Sequence, residues 1–78
     1  MEIIRKKDDV VEVFVGKKEI GDYVYYAFKE LTGRKYRIAQ KNVLTNAWEY
    51  IWGTGGLAEF EDLWADPSIL DYSLPPDA

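Results

Sequence analysis

The stretch that decides the fold is Val43 to Trp64, VLTNAWEYIWGTGGLAEFEDLW, which contains all three tryptophans of the 78-residue chain. It contains no lysine or arginine, because the last basic residue of the chain is Lys41. Residues 1–42 carry 10 basic and seven acidic residues, whereas residues 43–78 carry seven acidic residues and no basic one. This segregation of charge is the strongest signal in the sequence, and it concerns surfaces and partners more than a chemical reaction.

Two apolar stripes at helical spacing predict two helices in this stretch. The first helix is expected over about 43–53. Its stripe consists of Leu44, Ala47, Trp48 and Ile51. The second helix is expected over about 57–65, because Asp66-Pro67 stops a helix. Its stripe consists of Leu57, Phe60, Leu63 and Trp64. The glycine-rich run 53–56 is then the turn between the two helices.

Residues 1–40 have the alternation and composition of a small antiparallel sheet. The run 10–15 is the clearest strand, with three of its valines on one face. Residues 22–31 are ambiguous, because their apolar spacing also fits a helix while their aromatic residues favour a strand. The strand interpretation is preferred, since residues 34–39 alternate and Thr32-Gly33 could close a hairpin between the two segments.

These patterns predict one α+β domain over residues 1–72, in which the sheet is packed by the two C-terminal helices, followed by a flexible tail over 73–78. A chain of this length has no room for a second core, and its aromatic residues must supply much of the first. We expect the core to contain Val11, Val13, Val15, Tyr36, Ile38, Leu44, Trp48, Ile51, Phe60 and Trp64.

The absence of histidine and cysteine removes most catalytic and metal-binding arrangements. No Ser-His-Asp or Cys-His triad and no zinc site of His and Cys can be built. Glu59 and Asp62 share a helix face, but a solvated acidic face explains them better than a bound cation. The run 53–56 lacks the basic residue and the preceding strand of a phosphate-binding loop. We therefore expect no enzyme activity, no metal and no cofactor.

Hydropathy and net charge bear on location and on partners. No apolar run reaches the roughly 18 residues of a membrane span, and the N-terminal residues do not form a secretory signal pattern. A cytoplasmic protein without membrane contacts is the expectation. The formal net charge of −4 at pH 7 argues against general binding to phosphate backbones.

The acidic half predicts a non-enzymatic module that docks on a basic surface of a partner protein, such as a nucleic-acid enzyme. Its carboxylates would imitate phosphate charge, and a tryptophan would anchor the contact. The candidate partner-binding residues are Glu49, Trp52, Glu59, Glu61, Asp62, Trp64 and Asp66. Phage-encoded inhibitors that act as DNA mimics are similar in size and charge, an analogy that involves no specific residue.

Two alternatives remain open. The basic residues of the first half interleave with tyrosines, so the sheet could bind nucleic acid directly by stacking on bases and contacting phosphates. The residues for this role are Lys29, Arg34, Lys35, Tyr36, Arg37 and Lys41. In the other alternative, acidic and basic faces of different copies meet, and the protein is a self-associating structural protein.

Overall fold

The computed structural model describes residues 3–7, 10–51 and 53–72. In chain order the elements are β1 (Ile3–Lys7), β2 (Val10–Ile20), β3 (Tyr23–Glu30), β4 (Tyr36–Asn42), β5 (Trp48–Ile51), α1 (Leu57–Ala65) and a 3-10 turn (Pro67–Ile69). The strands form one five-stranded sheet in the order β1-β2-β3-β4-β5, with every neighbouring pair antiparallel. The antiparallel sheet is confirmed, and of the two predicted helices the described residues contain one, which a 3-10 turn follows. The expected tail 73–78 lies outside the described residues.

Strands β2 and β3 form a long hairpin whose turn depends on one glycine. Ile20 and Tyr23 are cross-strand partners, which leaves Gly21 and Asp22 as a two-residue turn. Gly21 has a φ of +61°, a conformation that costs glycine nothing because it has no Cβ. The strand interpretation of residues 22–31 is therefore confirmed over β3, where the chain pairs on both sides.

A bulge in β2 changes which of its residues face the core. The register shifts between Phe14, which pairs with Phe28, and Gly16, which pairs with Ala27. The extra residue, Val15, is left 45% exposed, because a bulge breaks the alternation of side chains across the sheet. The prediction of Val15 as a core residue is wrong for this reason.

The connection between β3 and β4 is longer than the sequence suggested. Residues 31–35 form the loop, in place of a tight turn at Thr32-Gly33. The Glu30 N–H donates to the Lys35 carbonyl at 3.0 Å, and the Lys29 ammonium group donates to the Gly33 carbonyl at 2.9 Å. These bonds satisfy loop groups that no ladder partner reaches.

The predicted helix over 43–53 is wrong. Residues 43–47 form a turn, and the next four residues form β5, which pairs with β4 so that Ile51 lies opposite Ile38. Leu44, predicted in the core, is 78% exposed in the turn. The run Trp-Glu-Tyr-Ile fits the two-residue period of a strand as well as it fits the helical period. It forms a strand because pairing with β4 gives its backbone a ladder of hydrogen bonds.

Two asparagines explain why the predicted helix is reduced to a single turn over residues 43–47. The Asn42 side chain accepts hydrogen bonds from the N–H groups of Leu44 at 2.9 Å and Thr45 at 3.2 Å, as a helix N-cap does. The Asn46 N–H then donates to the Asn42 carbonyl at 2.7 Å, which closes one helical turn. Asn46 itself has a φ of +62°, and a right-handed helix cannot continue through that conformation.

The helix predicted over about 57–65 is confirmed as α1, which covers one face of the sheet. Buried Phe60 stacks on Tyr36 with ring centroids 4.2 Å apart, and Ala27 and Ile38 lie in the same cluster. Asp66 ends the helix and accepts a hydrogen bond from the Ser68 N–H at 3.3 Å. No helix in the described residues is long and apolar enough to cross a membrane.

The core differs in part from the predicted one. Ile38 and Phe60 are buried as expected. Six further predicted residues are half-buried, namely Val11, Val13, Tyr36, Trp48, Ile51 and Trp64. The buried hydrophobic residues that were not predicted are Val24, Tyr25, Ala27, Phe28 and Ala39. All five belong to β3 and β4, the strands that the tertiary structure places inside the sheet.

The sheet has two faces, because side chains alternate along each strand. We call the side packed against α1 the helix face, and it includes Gly16, Tyr25, Ala27, Tyr36 and Ile38. We call the other side the aromatic face, and it includes Phe14, Tyr26, Phe28, Trp48 and Tyr50. The register of the strands determines which residues lie on each face.

Candidate functional site

The outer side of α1 and the residue after it form an acidic helix surface. It consists of Glu59, Glu61, Asp62 and Asp66, which are all exposed. The buried Phe60 fixes this orientation, since its ring must face the sheet while its neighbours in the helix turn outwards. Among the described residues, no lysine or arginine forms an ion pair with these four carboxylates. None of the four charges is therefore neutralised by a described basic side chain.

Trp64, predicted as an anchor for a partner, packs inside the molecule. Its ring stacks on Phe60 at 5.9 Å and lies over Gly16. The Lys18 ammonium group donates to the Trp64 carbonyl at 2.5 Å and lies 5.0 Å from the centre of the indole ring. The apolar groups exposed beside the acidic helix surface are instead Leu57, which is 55% exposed, and Ile69, which is 75% exposed.

Of the two remaining predicted partner-binding residues, the structure places only Glu49, which lies apart from this surface. Glu49 lies on β5 and accepts a hydrogen bond from the Gln40 side-chain amide at 2.6 Å. Trp52 lies outside the described residues. The structure thus brings together four of the predicted acidic residues and places Glu49 on another element.

The residues predicted for direct nucleic-acid binding are divided among three places. Tyr36 is on the helix face under Phe60, and Lys29 is held by the Glu30 and Gly33 carbonyls at 3.0 and 2.9 Å. Arg34 and Lys35 are exposed in the loop 31–35. Arg37 and Lys41 extend from β4 onto the aromatic face. The predicted set is therefore not one surface.

The aromatic face is a connected array of rings centred on Tyr26. The Tyr26 ring lies 5.1 Å from Trp48 and 6.4 Å from both Phe14 and Phe28, measured between centroids. Trp48 and Tyr50 are nearly parallel, with an angle of 11° and a separation of 6.2 Å. Phe28 is buried at the base of the array, and the other four are half-buried. The strand period of the run 48–51 could have revealed this array, but the helical stripe obscured it.

Cationic side chains stand among these rings. The Lys41 ammonium group lies 5.1 Å from the centre of the Trp48 ring, and the Arg37 guanidinium carbon lies 5.7 Å from that of Tyr50. Contacts of this kind are attractive because the face of an aromatic ring is electronegative. Arg37 also forms an ion pair with the carboxylate of Glu12 at 3.3 Å, and the two side chains are 12% and 4% exposed.

Two cavities lie near the ends of β3 and β4. One of about 240 Å³ is lined by Glu12, Glu30, Lys35, Tyr36, Arg37 and Gly53. The other, of about 370 Å³, is lined by Lys29, Gly33, Arg34, Tyr36, Gly56 and Leu57. Among the described residues, no group of three or more His, Cys, Asp or Glu side chains could hold a metal ion.

The glycine-rich segment 53–56 connects a strand to a helix, and not two helices as predicted. Buried Thr54 holds it against β4, because its N–H and its hydroxyl group both donate to the Tyr36 carbonyl, at 2.9 and 3.1 Å. The Glu59 carboxylate lies against Gly55, at the N-terminus of α1. A negative charge of the chain itself therefore already faces the positive end of the helix dipole.

Two tyrosines join the C-terminal segment to the sheet. The rings of Tyr25 and Tyr72 are 5.8 Å apart, and the Tyr72 hydroxyl group donates to the Pro67 carbonyl at 2.7 Å. Burial raises the pKa of Tyr25, with smaller contributions from Tyr23 and Asp66. Burial also raises the pKa of Tyr72, helped by Tyr25 and Asp66.

The comparisons with known proteins give no family for this chain. No protein-family model matches it, and no curated protein or solved structure is significantly similar to it. The function must therefore be argued from the two surfaces described above.

Proposed function

We propose that the protein is a non-enzymatic binding module whose acidic helix surface docks on a basic surface of a partner protein. The observation that carries this proposal is the set of exposed carboxylates of Glu59, Glu61, Asp62 and Asp66, which form no ion pair with any described basic residue. Placing unpaired like charges along one helix costs stability through repulsion. A partner of opposite charge would remove that cost on binding.

The composition of the surface supports a partner with basic and apolar elements. Leu57 and Ile69 offer exposed apolar contact beside the carboxylates, the combination that specific interfaces use for affinity and for steering. Three carboxylates on α1 and that of its C-cap Asp66 can take the positions of phosphates against lysine and arginine side chains. The nucleic-acid-binding surface of an enzyme is a partner of this chemistry, and the protein would inhibit such an enzyme by charge mimicry.

The proposal is tested by affinity capture from the source lysate after nuclease treatment. The wild type is compared with two double variants that change the net charge of the protein by the same amount. Glu61→Lys with Asp62→Lys reverses the acidic helix surface, whereas Glu19→Lys with Asp22→Lys reverses two exposed charges elsewhere. We expect a basic protein to be retained by the wild type and by the second variant. Its affinity for the first variant should fall about tenfold or more, because opposed charges become like charges.

A measurement of folding completes the test. The far-UV circular dichroism and the urea midpoint of both variants should stay close to those of the wild type, since all four positions are exposed. Equal retention of the captured protein by both variants would exclude the acidic helix surface as its binding site.

A further inference from the structure

We propose that the aromatic face binds single-stranded nucleic acid, with bases stacking on Trp48 and Tyr26 and phosphates contacting Lys41 and Lys17. This inference goes beyond the proposed function, because the aromatic face lies on the side of the sheet opposite α1 and would have its own ligand. It also differs from the set predicted from the sequence, which included Lys29 and Tyr36 on the covered side.

The rings provide the stacking surface. Within the described residues, the one α-helix packs against the other face of the sheet, so no described helix covers these rings. Tyr26, Trp48 and Tyr50 are half-buried, and the Trp48 ring lies 5.1 Å from Tyr26 and 6.2 Å from Tyr50. Since every base has an apolar ring face, such an array binds single strands with little dependence on sequence.

The cations are placed where phosphates of a stacked strand would lie. Lys41 lies beside Trp48 and Arg37 beside Tyr50. Lys17 is the direct cross-strand partner of Tyr26 on β2 and is exposed. Each of three neighbouring rings thus has a basic side chain next to it. Interleaved rings and cations are the combination that proteins use to follow a single strand.

The net charge of −4 does not oppose this inference, because the charges are separated in space. The four acids of the acidic helix surface stand on α1 and its C-cap, on the far side of the sheet. Two acids of the aromatic face are paired with its own cations, Glu19 with Lys17 at 3.9 Å and Glu12 with Arg37 at 3.3 Å. Lys41 has no such carboxylate among the described residues, and it contacts a ring instead.

A second copy of the chain is the competing occupant, since its acidic helix surface also complements Lys17 and Lys41. The nucleic acid is favoured because that helix surface offers carboxylates with no aromatic ring among them, whereas the aromatic face is dominated by rings. A single strand of nucleic acid would use both, because its bases stack on the rings and its phosphates contact the cations.

The experiment is a fluorescence anisotropy titration of labelled oligothymidylate and oligouridylate with the purified chain at several salt concentrations. We expect binding that weakens with salt, and a loss of about tenfold or more in Trp48→Ala, from one lost stacking contact. Lys41→Gln should lower the slope of log affinity against log salt by about 0.7, as one phosphate contact is removed. Trp48→Phe should retain most of the affinity, because it keeps a ring.

The matched control is Asp71→Asn, which changes one exposed charge beside Tyr72 on the helix side of the sheet and should not weaken binding. Titration of the wild type followed by NMR locates the contact without any variant, and the shifted signals should belong to residues of the aromatic face. The absence of binding at low salt would overturn the proposal, as would shifts confined to α1. Self-association that Lys41→Gln abolishes, without oligonucleotide binding, would assign the face to a second copy and overturn it as well.

Discussion

Asn46 shows at the scale of one residue how a helix signal becomes a strand connection. With a φ of +62°, it occupies a conformation that is unfavourable for most side chains and tolerable for asparagine, whose short side chain can bond locally. The neighbouring hydrogen bonds hold it there, since the Ala47 N–H donates to the Thr45 hydroxyl oxygen at 3.3 Å and the Asn42 N–H donates to the Ala47 carbonyl at 3.0 Å. The turn therefore directs β5 back along β4.

Substitution of Asn46 tests this role. We expect Asn46→Ala to lower the free energy of unfolding by about 1 kcal/mol, because alanine pays the steric cost of a positive φ. Asn46→Gly is the matched control and should leave stability near the wild-type value, since glycine adopts this conformation freely. Urea unfolding followed by circular dichroism measures both. Equal stability of the two variants would show that the backbone conformation of residue 46 does not set the turn.

Gly16 shows at the scale of elements how the helix reaches the sheet. A Cβ atom added at this position would lie 3.6 Å from the Trp64 ring, which is ordinary van der Waals contact. The indole thus rests directly on the backbone of β2, and Lys18 two residues later holds the Trp64 carbonyl. A larger side chain at residue 16 would occupy the position of the indole ring and displace the C-terminal half of α1.

The contrast between two substitutions at Gly16 measures this packing. Gly16→Ala should be tolerated, and should stabilise the protein by about 0.4–1 kcal/mol through the lower entropy of the unfolded chain. Gly16→Leu should instead cost about 1–3 kcal/mol, as overpacking does in other cores. The urea midpoints of the two variants measure this difference in stability. A leucine variant as stable as the alanine variant would mean that Trp64 does not rest on β2.

The whole molecule is polarised, because the sheet separates two surfaces of different chemistry. The basic half of the sequence forms four of the five strands, and the acidic half supplies the helix that covers one face. The carboxylates of the acidic helix surface thereby lie on the side of α1, while Lys17, Arg37 and Lys41 lie among the rings of the other side. Each proposed ligand would therefore contact its own side of the sheet.

The free energy of unfolding should fall at alkaline pH because of Tyr25 and Tyr72, which join the C-terminal segment to the sheet. Their pKa values are raised in the folded protein above the ordinary value of about 10. Above that pH the unfolded chain loses these protons first, so the free energy of unfolding should fall as pH rises. Urea midpoints measured from neutral to alkaline pH test this expectation.

Tyr72→Phe is the control for the alkaline experiment. It should be less stable than the wild type at neutral pH by about 1 kcal/mol, because the hydrogen bond to the Pro67 carbonyl is lost. Its stability should then fall less steeply above pH 10, since one raised pKa is absent. The same slope in both proteins would mean that Tyr72 does not contribute to the alkaline loss of stability.

Several features of this protein depend only on neighbouring residues, and these were predictable before the fold was known. The charge segregation, the antiparallel strands, the helix ending at Asp66-Pro67 and the alternation of β4 could all be read from neighbouring residues. The carboxylates of α1 were identified for the same reason, because the helical period alone turns them away from Phe60.

Other features depend on contacts between segments that are far apart in the chain, and local sequence patterns could not predict them. The segment around Trp48 fits both a helix and a strand locally, and its pairing with β4 and the left-handed Asn46 made it a strand. That choice moved Trp48 onto the aromatic face, beside Tyr26 and Lys41. The bulge at Val15 and the register likewise set which residues share a face. The face on which a residue lies is a property of the assembled sheet, because a shift of one residue in the register moves every side chain of a strand to the other face.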